Sequence, residues 1–251
     1  MKNQYFGDIG DYGKYALLRT FAQNGITIAV NWYLTDNIPY GGAGYYDGKY
    51  IQYLKKEKNQ QYCPEVFQLL RSAVIDQDIR DVRVIENSDV IPHARYFNEP
   101  LPVTKGISKE ERAKKREEWH QRGLAFCEGA DLAFLDPDNG LREALTKSPK
   151  MDRKYVLREE AAAYYRAGSN LVYYCHKGRR SDEKWSEYKK LLQRTDLPDA
   201  VLFGLTFHRG TQRTFLFVVH PEVAGRYREI ADGFLESPWK KDGLFSLETI
   251  E

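Results

Sequence analysis

The sequence has few cysteines, little net charge and no long hydrophobic run, and each shortage excludes a class of protein. Its 251 residues include three cysteines, Cys63, Cys127 and Cys175, which are too few and too scattered for a disulfide framework or a zinc site. The net charge is +2, so any nucleic-acid site must be a local patch. No stretch approaches the ~18 apolar residues that a membrane-spanning helix needs.

The first residues, Met1-Lys2-Asn3-Gln4, also lack the apolar core of a signal peptide. Three isolated cysteines are typical of buried thiols in a reducing compartment. We therefore expect a cytoplasmic protein with no membrane partner, while the oligomeric state has no signature in the sequence. The composition is 42% hydrophobic and 29% charged, which predicts a globular fold. The aromatic share of 14% is high and supplies many side chains suited to stacking.

Strands and helices alternate along the chain until two consecutive strands near its end. Apolar, β-branched runs predict strands at 26–34, 82–85, 132–135 and 170–175, with a further strand near 94–97. A short connector joins predicted strands at 200–207 and 214–219, which indicates an antiparallel hairpin. The order predicts one α/β domain over 1–251, with a mostly parallel, doubly wound sheet, a C-terminal antiparallel hairpin and an irregular or helical insertion at about 87–128.

The most informative stretch is a buried strand that ends in a polar turn. The run at 132–135 is continuously apolar, as expected for a strand covered on both faces. Pro137 must end the strand, and Asn139-Gly140 suits a tight turn. Ligands of open α/β sheets bind at the carboxyl ends of strands. Asp136, Asp138 and Asn139 are therefore candidate catalytic residues; the alternative is a loop of ordinary turn residues.

Two later strand ends carry imidazoles and cations. His176, Lys177 and Arg179 follow the strand before the hairpin, and His208 and Arg209 lie in the hairpin connector. Such clusters commonly bind phosphate. We expect His176, Lys177 and His208 at the catalytic centre, and Arg179 and Arg209 on substrate phosphates.

A glycine-rich loop follows the first predicted strand. Asp36 precedes Gly41, Gly42 and Gly44, and glycines after a strand commonly let a ligand approach the backbone closely. Glu86, at the end of the predicted strand at 82–85, is placed to hold ribose hydroxyls or is simply exposed.

The start of the chain, Gly7-Asp8-Ile9-Gly10-Asp11-Tyr12-Gly13-Lys14, precedes a helix for which Asp11 is the expected N-cap. It could present amide donors to an anion or a cofactor, or be only a capping turn. Basic and aromatic residues alternate over 47–62, a mixture that suits nucleic acid, although a solvated helix face is the commoner explanation.

Together these features resemble the class I S-adenosylmethionine-dependent methyltransferases over about residues 5–235. Asp36 through Gly44 looks like the cofactor loop, and Asp136-Pro137-Asp138-Asn139 looks like the catalytic tip, which reads Asp/Asn-Pro-Pro-aromatic in amino-methylating members. The start at 7–14 is similar to the segment before the first strand of bacterial ribosomal RNA adenine-N6 methyltransferases. There, a glycine, an acid and a lysine precede a helix that packs beside the cofactor. The chain also resembles a group of uncharacterised bacterial proteins with a Leu-Asp-Pro-Asp-Asn-Gly-Leu tip.

The resemblance implies methyl transfer to nucleic acid. It implies that Asp136 and the Pro137 carbonyl orient a substrate amine. Asp138 and Asn139 depart from the pattern, because the family has a second proline and a base-stacking aromatic there. The resemblance further implies S-adenosylmethionine as the cofactor, held by Asp36, Gly41, Gly42, Gly44, Glu86 and Lys14.

Two other functions fit the same residues. A metal-dependent nuclease or phosphohydrolase would hold Mg²⁺ or Mn²⁺ on Asp136 and Asp138. It would use His176 and His208 for proton transfer. A methyltransferase fold without catalysis would instead bind a nucleotide or a partner.

Overall fold

The structure, a computed structural model, describes residues 1–42, 45, 48–103, 106–210 and 212–250. The described strands are β1 Ile28–Asn31, β2 Arg95–Phe97, β3 Leu132–Leu135, β4 Gly140–Arg142, β5 Tyr155–Leu157, β6 Asn170–Cys175, β7 Val201–Phe207, β8 Arg213–Val219 and β9 Phe245–Thr249. The described helices are α1 Ile9–Gln23, α2 Pro64–Arg71, α3 Arg83–Glu86, α4 Lys109–Cys127, α5 Pro149–Asp152, α6 Arg158–Arg166, α7 Asp182–Lys189, α8 Leu191–Thr195, α9 Ala224–Leu235 and α10 Pro238–Lys241. Shorter turns of 3₁₀ or π helix lie at Asn3–Tyr5, Gln52–Lys55, Glu57–Tyr62 and Ser72–Asp76.

Seven strands form the central sheet, in the order β2-β1-β3-β6-β8-β7-β9. The first four are mutually parallel, and β8 pairs antiparallel with both β6 and β7. Strand β9 is also antiparallel to β7. Strands β8 and β9 therefore run opposite to the other five, which share one direction. A small separate sheet pairs β4 with β5 in parallel. The predicted α/β class, with a mostly parallel sheet and a C-terminal antiparallel hairpin, is confirmed.

Two hydrophobic cores lie on opposite faces of the sheet, which explains the unbroken apolar run of β3. Leu132 and Phe134 belong to the core that includes Leu17 of α1. Ala133 and Leu135 belong to the other core, with side chains of α4 and α6. Successive side chains of a strand point to opposite faces, so a strand covered on both sides must be apolar throughout. This burial fixes β3 at the centre of the fold. The polar residues that follow it lie at the carboxyl ends of the parallel strands.

Helix α1 begins earlier than the sequence suggested, and Asp8 caps it in place of Asp11. Asp8 Oδ1 accepts a hydrogen bond from the Gly10 amide at 2.9 Å. The expectation that Asp11 is the N-cap was wrong, because the helix already begins at Ile9. Asp11 lies in the first turn, where a negative charge also favours the positive end of the helix.

The predicted strand at 82–85 was also wrong. Residues 83–85 belong to α3 and Val82 is its N-cap, and the buried Val82 and Ile85 are three positions apart, as on one helical face. The strand beside β1 is instead β2, in the place where an additional strand was expected near 94–97.

A buried arginine fixes the small sheet to α4. Arg116 contacts both oxygens of Glu160, with 2.9 Å between Nη2 and Oε2, and donates to the Asp152 and Tyr155 carbonyls. Tyr33 Oη also donates to Glu160, at 3.1 Å. Burial opposes ionisation of Glu160, but the Arg116 guanidinium outweighs it and holds the Glu160 pKa below its usual value. This network positions the segment that contains Lys154.

Helix α4 has 19 residues and is strongly charged. Ser108 Oγ accepts from the Glu111 amide at 3.1 Å and so caps the helix. Within the described ranges, no helix combines the length and apolar character that crossing a membrane requires.

Candidate functional site

A cleft of about 380 Å³ lies at the carboxyl ends of β3 and β6, beside the first turn of α1 and the start of β8. The tip after β3, residues 136–139, forms one wall. The remaining lining comes from Met1, Tyr5, Asp8, Gly10, Asp11, Lys14, Gly48, Lys49, Tyr50, Lys154, Tyr174, His176, Arg213 and Phe215. This is the edge of the sheet where α/β proteins bind ligands.

Lys14 is the most deeply buried cation of the cleft. Its Nζ lies 2.8 Å from Asp11 Oδ1 and 2.7 Å from Asp136 Oδ2, and 4% of its side chain is exposed. Burial opposes its charge, but the two carboxylates outweigh burial and raise the Lys14 pKa. Burial raises the pKa of Asp136 and outweighs the opposing charges of Lys14 and the Met1 ammonium. The ammonium also lies 5.4 Å from the centre of the Trp32 ring.

Asp138 lies near ammonium groups but has unused acceptors. Its Oδ1 is 3.2 Å from the Met1 ammonium and its Oδ2 is 3.4 Å from Lys2 Nζ. Both ammonium groups form ion pairs with this carboxylate, and 7% of its side chain is exposed. Burial opposes ionisation, but Met1, Lys2 and Lys154 outweigh it and lower the Asp138 pKa. Asp138 is therefore a buried carboxylate that can still accept hydrogen bonds.

Arg213 lies across the first turn of α1. Its Nη2 is 2.7 Å from Asp8 Oδ1, and a methyl group added at Gly10 would be 2.3 Å from the guanidinium carbon. Glycine at position 10 therefore makes room for Arg213. Burial raises the pKa of Tyr174 to about 12, although Arg213 acts against burial. Tyr174 is consequently a neutral side chain of the cleft at pH 7.

His176 follows β6 and stacks near Tyr174, with 6.2 Å between the ring centres. Its buried Nδ1 has no hydrogen-bond partner within the described part of the chain. Burial, together with the charges of Arg180 and Arg213, lowers the His176 pKa. The imidazole is therefore neutral at pH 7 and can accept a proton.

The cleft brings together five residues that the sequence identified, namely Lys14, Asp136, Asp138, Asn139 and His176. Other predicted residues are not in its lining. Lys177 pairs with Asp182, and His208 Nε2 lies 2.7 Å from Ser246 Oγ. Arg179 and Arg209 are exposed and do not line the cleft.

The predicted cofactor loop does not reach the cleft in its described part. Gly41 and Gly42 are absent from the lining, and Gly44 lies outside the described residues. Asp36 pairs instead with Arg153 at 3.1 Å. Glu86 accepts from Trp32 Nε1 at 2.8 Å and from Asn98 Nδ2 at 3.0 Å.

The first two residues of the sequence cover the end of β1. The Met1 ammonium donates to the Trp32 and Tyr33 carbonyls, and the Thr35 amide donates to the Met1 carbonyl at 2.9 Å. Met1 therefore already contacts the backbone groups that follow β1. This contact explains why the glycines farther along the chain do not line the cleft.

Sequence reasoning missed Lys154 and undervalued Arg213. Lys154 stands in a polar loop with no motif, and the pairing of β4 with β5 brings it to the tip. Arg213 had a signal, since it is the cation that directly precedes the predicted strand at 214–219, and in the structure it is the first residue of β8.

A metal centre on Asp136 and Asp138 would need rearrangement. Lys14 contacts Asp136, while the Met1 ammonium and Lys2 flank Asp138, so a divalent ion would compete with these cations. Across the described ranges, no three His, Cys, Asp or Glu side chains are arranged to hold a metal ion.

The cleft combines carboxylates, a neutral imidazole, cations and aromatic faces at the carboxyl ends of the central strands β3 and β6. Such a lining suits a small polar ligand and a proton transfer beside it. No family model matches the chain, and no curated protein is significantly similar to it.

Proposed function

We propose that the protein is a cytoplasmic S-adenosylmethionine-dependent methyltransferase that acts on nucleic acid. The observation that carries this proposal is the buried contact of 2.7 Å between Lys14 Nζ and Asp136 Oδ2. The start of the chain and the tip after β3 are two stretches that carry the resemblance to these enzymes. They are far apart in sequence, and this contact joins them in one cleft. Two separate motifs that share one site support a common function better than either motif alone.

The lining of the cleft fits the chemical groups of the cofactor, which has an aromatic base, a carboxylate and cationic groups. Tyr50 and Phe215 offer aromatic faces, Arg213 offers a cation, and Asp8 and Asp11 offer carboxylates. These side chains would hold the cofactor in place of the glycine loop. When bound, the cofactor supplies an electrophilic methyl group.

The residues of the chain would orient the substrate and move its proton. Asp136 and the Pro137 carbonyl accept hydrogen bonds from a substrate amine and direct its lone pair, so their contribution is mainly orientation. Lys14 holds Asp136 Oδ2 and fixes the carboxylate in position. His176, neutral at pH 7, accepts the proton that the amine loses on methylation.

Calorimetry with S-adenosylmethionine, followed by transfer of a labelled methyl group to total cellular RNA and DNA, tests the proposal. We expect cofactor binding, and we expect His176→Gln to lower transfer by about 10²–10⁴-fold, the usual contribution of acid–base catalysis. His208→Gln is the matched control, since His208 contacts Ser246 outside the cleft and should retain full transfer. Absence of cofactor binding at millimolar concentration would refute the proposal.

One observation favours a phosphohydrolase or nuclease as a second candidate. Lys49, Lys154 and Arg213 line the same cleft as the Asp136 and Asp138 carboxylates, and such cations stabilise transferring phosphoryl groups. Incubation of RNA and DNA with the protein and Mg²⁺ or Mn²⁺ tests this function, and unaltered nucleic acid would exclude it. A protein that binds nucleotide without either reaction would support the third, non-catalytic function.

A further inference from the structure

The tip side of the cleft carries an excess of positive charge. Asp138 lies 3.4 Å from Lys2, and Lys154 is close enough to act electrostatically on both residues. Within the ranges that the structure describes, Lys154 forms no ion pair. One carboxylate therefore faces two lysines and the Met1 ammonium, and an anionic group that enters beside Lys154 would be attracted.

Asp138 needs a different kind of partner. Its carboxylate is buried and ion-paired with the Met1 ammonium and Lys2, and the remaining lone pairs of its two oxygens can accept further hydrogen bonds. Buried acceptors normally have donors, from the protein or from a ligand. A further cation would be repelled by the lysines already there, so the fitting donor is a neutral group such as a hydroxyl.

Asn139 connects Asp138, its neighbour in sequence, to Lys154. Its backbone amide donates to the Lys154 carbonyl at 2.9 Å, which keeps the lysine segment against the tip. Its side chain lines the cleft and makes no hydrogen bond within the described part of the chain, although an amide can both donate and accept. We call Asp138, Asn139 and Lys154 the tip subsite.

We propose that the tip subsite binds the ribose and phosphate of a ribonucleotide, with a ribose hydroxyl donating to Asp138 and the phosphate contacting Lys154. Acidic side chains at strand ends hold ribose hydroxyls in α/β sheets. The 2′-hydroxyl is also the group by which proteins distinguish RNA from DNA. This inference rests on the proposed function, because it names the nucleic acid as RNA. Asp138 stands where the similar enzymes have proline, so the resemblance itself implies no such contact.

Calorimetry of the full chain tests the subsite with the four ribonucleoside 5′-monophosphates, their 2′-deoxy forms and the parent ribonucleosides. We expect the best ribonucleotide to bind at least about fivefold more tightly than its deoxy form, as for one hydrogen bond to a charged group. Lys154→Met should weaken monophosphate binding about tenfold and leave nucleoside binding unchanged, as for one charge-assisted contact. Lys150→Met is the control, since Lys150 is exposed and does not line the cleft.

Asp138→Asn should remove the preference for ribose over deoxyribose, with folding checked by circular dichroism. If that variant does not fold, the comparison of ribose with deoxyribose and the Lys154→Met variant still decide. Equal affinity for both sugars, or equal losses for monophosphates and nucleosides in Lys154→Met, would overturn the proposal. Tighter binding of a short oligoribonucleotide than of the mononucleotide would identify RNA as the source, and equal binding would identify a free nucleotide; both support the subsite.

The experiment separates this inference from the proposed function. A ribose preference without S-adenosylmethionine binding would keep the tip subsite and refute methyl transfer. Cofactor binding without a ribose preference would keep methyl transfer and overturn the subsite.

Discussion

Lys14 Nζ lies 2.7 Å from Asp136 Oδ2 and joins the first helix to the end of the central strand β3. The same ammonium lies 2.8 Å from Asp11 Oδ1, so a single buried cation neutralises carboxylates from two elements. Lys14 therefore ties the first turns of α1 to the carboxyl end of β3 at the cleft.

Lys14→Met should lower the free energy of unfolding at pH 7 by about 3–5 kcal/mol, because removal of one partner leaves buried charges uncompensated. Urea denaturation measures the loss. Lys49→Met is the control: Lys49 lines the same cleft but is exposed, and its replacement should change stability by less than ~0.5 kcal/mol. Equal stability of the two variants would show that Lys14 is not needed to balance the carboxylates.

Gly10→Ala should reduce ligand binding more than stability. The new methyl group would displace the Arg213 guanidinium from Asp8, and Arg213 lines the cleft. Alanine gains up to about 1 kcal/mol over glycine in a helix interior and less in the first turn, where Gly10 lies, so it offsets only part of the lost ion pair. Gly233→Ala, in α9 with open space around it, should only gain stability. Calorimetric binding together with thermal unfolding distinguishes the two effects, and unchanged binding in Gly10→Ala would contradict the role given to Arg213.

Glu160→Gln should destabilise the protein at neutral pH and much less in acid. The Glu160 pKa is lower in the folded than in the unfolded protein, so its ionised form contributes stability above the unfolded value of about 4.3. That contribution is lost as the pH falls through the folded pKa. We expect a loss of about 3–5 kcal/mol at pH 7, from the partner left unpaired, and a smaller loss below pH ~4.

The neighbouring Glu159 supplies the control for this measurement. It is exposed, and Glu159→Gln should change the free energy of unfolding by less than ~0.5 kcal/mol at either pH. A Glu160→Gln loss that did not vary with pH would mean that the ionised carboxylate is not the source of the stability.

Arg180→Met should raise the pKa of His176. Burial and the Arg180 and Arg213 charges disfavour the imidazolium, so removal of one cation makes protonation easier. Titration of the His176 ring protons by NMR measures the midpoint. Arg179→Met removes an exposed cation that does not line the cleft and should leave the midpoint unchanged. Identical midpoints in wild type and Arg180→Met would show that the Arg180 charge does not contribute to the low His176 pKa.

The fold could be predicted from the sequence where local pattern and burial agree. The run at 132–135 is apolar because two cores cover it, and the short connector after β7 permits only a hairpin. The segment at 82–85 misled because four apolar or charged residues fit a strand and a helical turn equally well. Only packing, which buries Val82 and Ile85 on one side, separates the two.

The site could be predicted where a motif ends a strand or opens a helix, as at Asp136 and Lys14. The site could not be predicted where it depends on contacts between segments that are far apart in sequence. The contact between the Thr35 amide and the Met1 carbonyl closes the region after β1, and no local pattern signals it. Lys154 likewise reaches the cleft through the pairing of β4 with β5, and Arg116 donates to the Asp152 and Tyr155 carbonyls on either side of it.

The Asp8–Arg213 pair spans 205 positions, so the cleft is completed late in the life of a nascent chain. Lys14 and Asp136 can meet once β3 has left the ribosome, but Asp8 stays without its arginine until β8 is made. Contacts between distant residues form slowly because long loops must close first. A nascent chain halted before β8 would thus lack the Arg213 and Phe215 side of the cleft and would leave the Asp8 carboxylate at the start of α1 without its arginine.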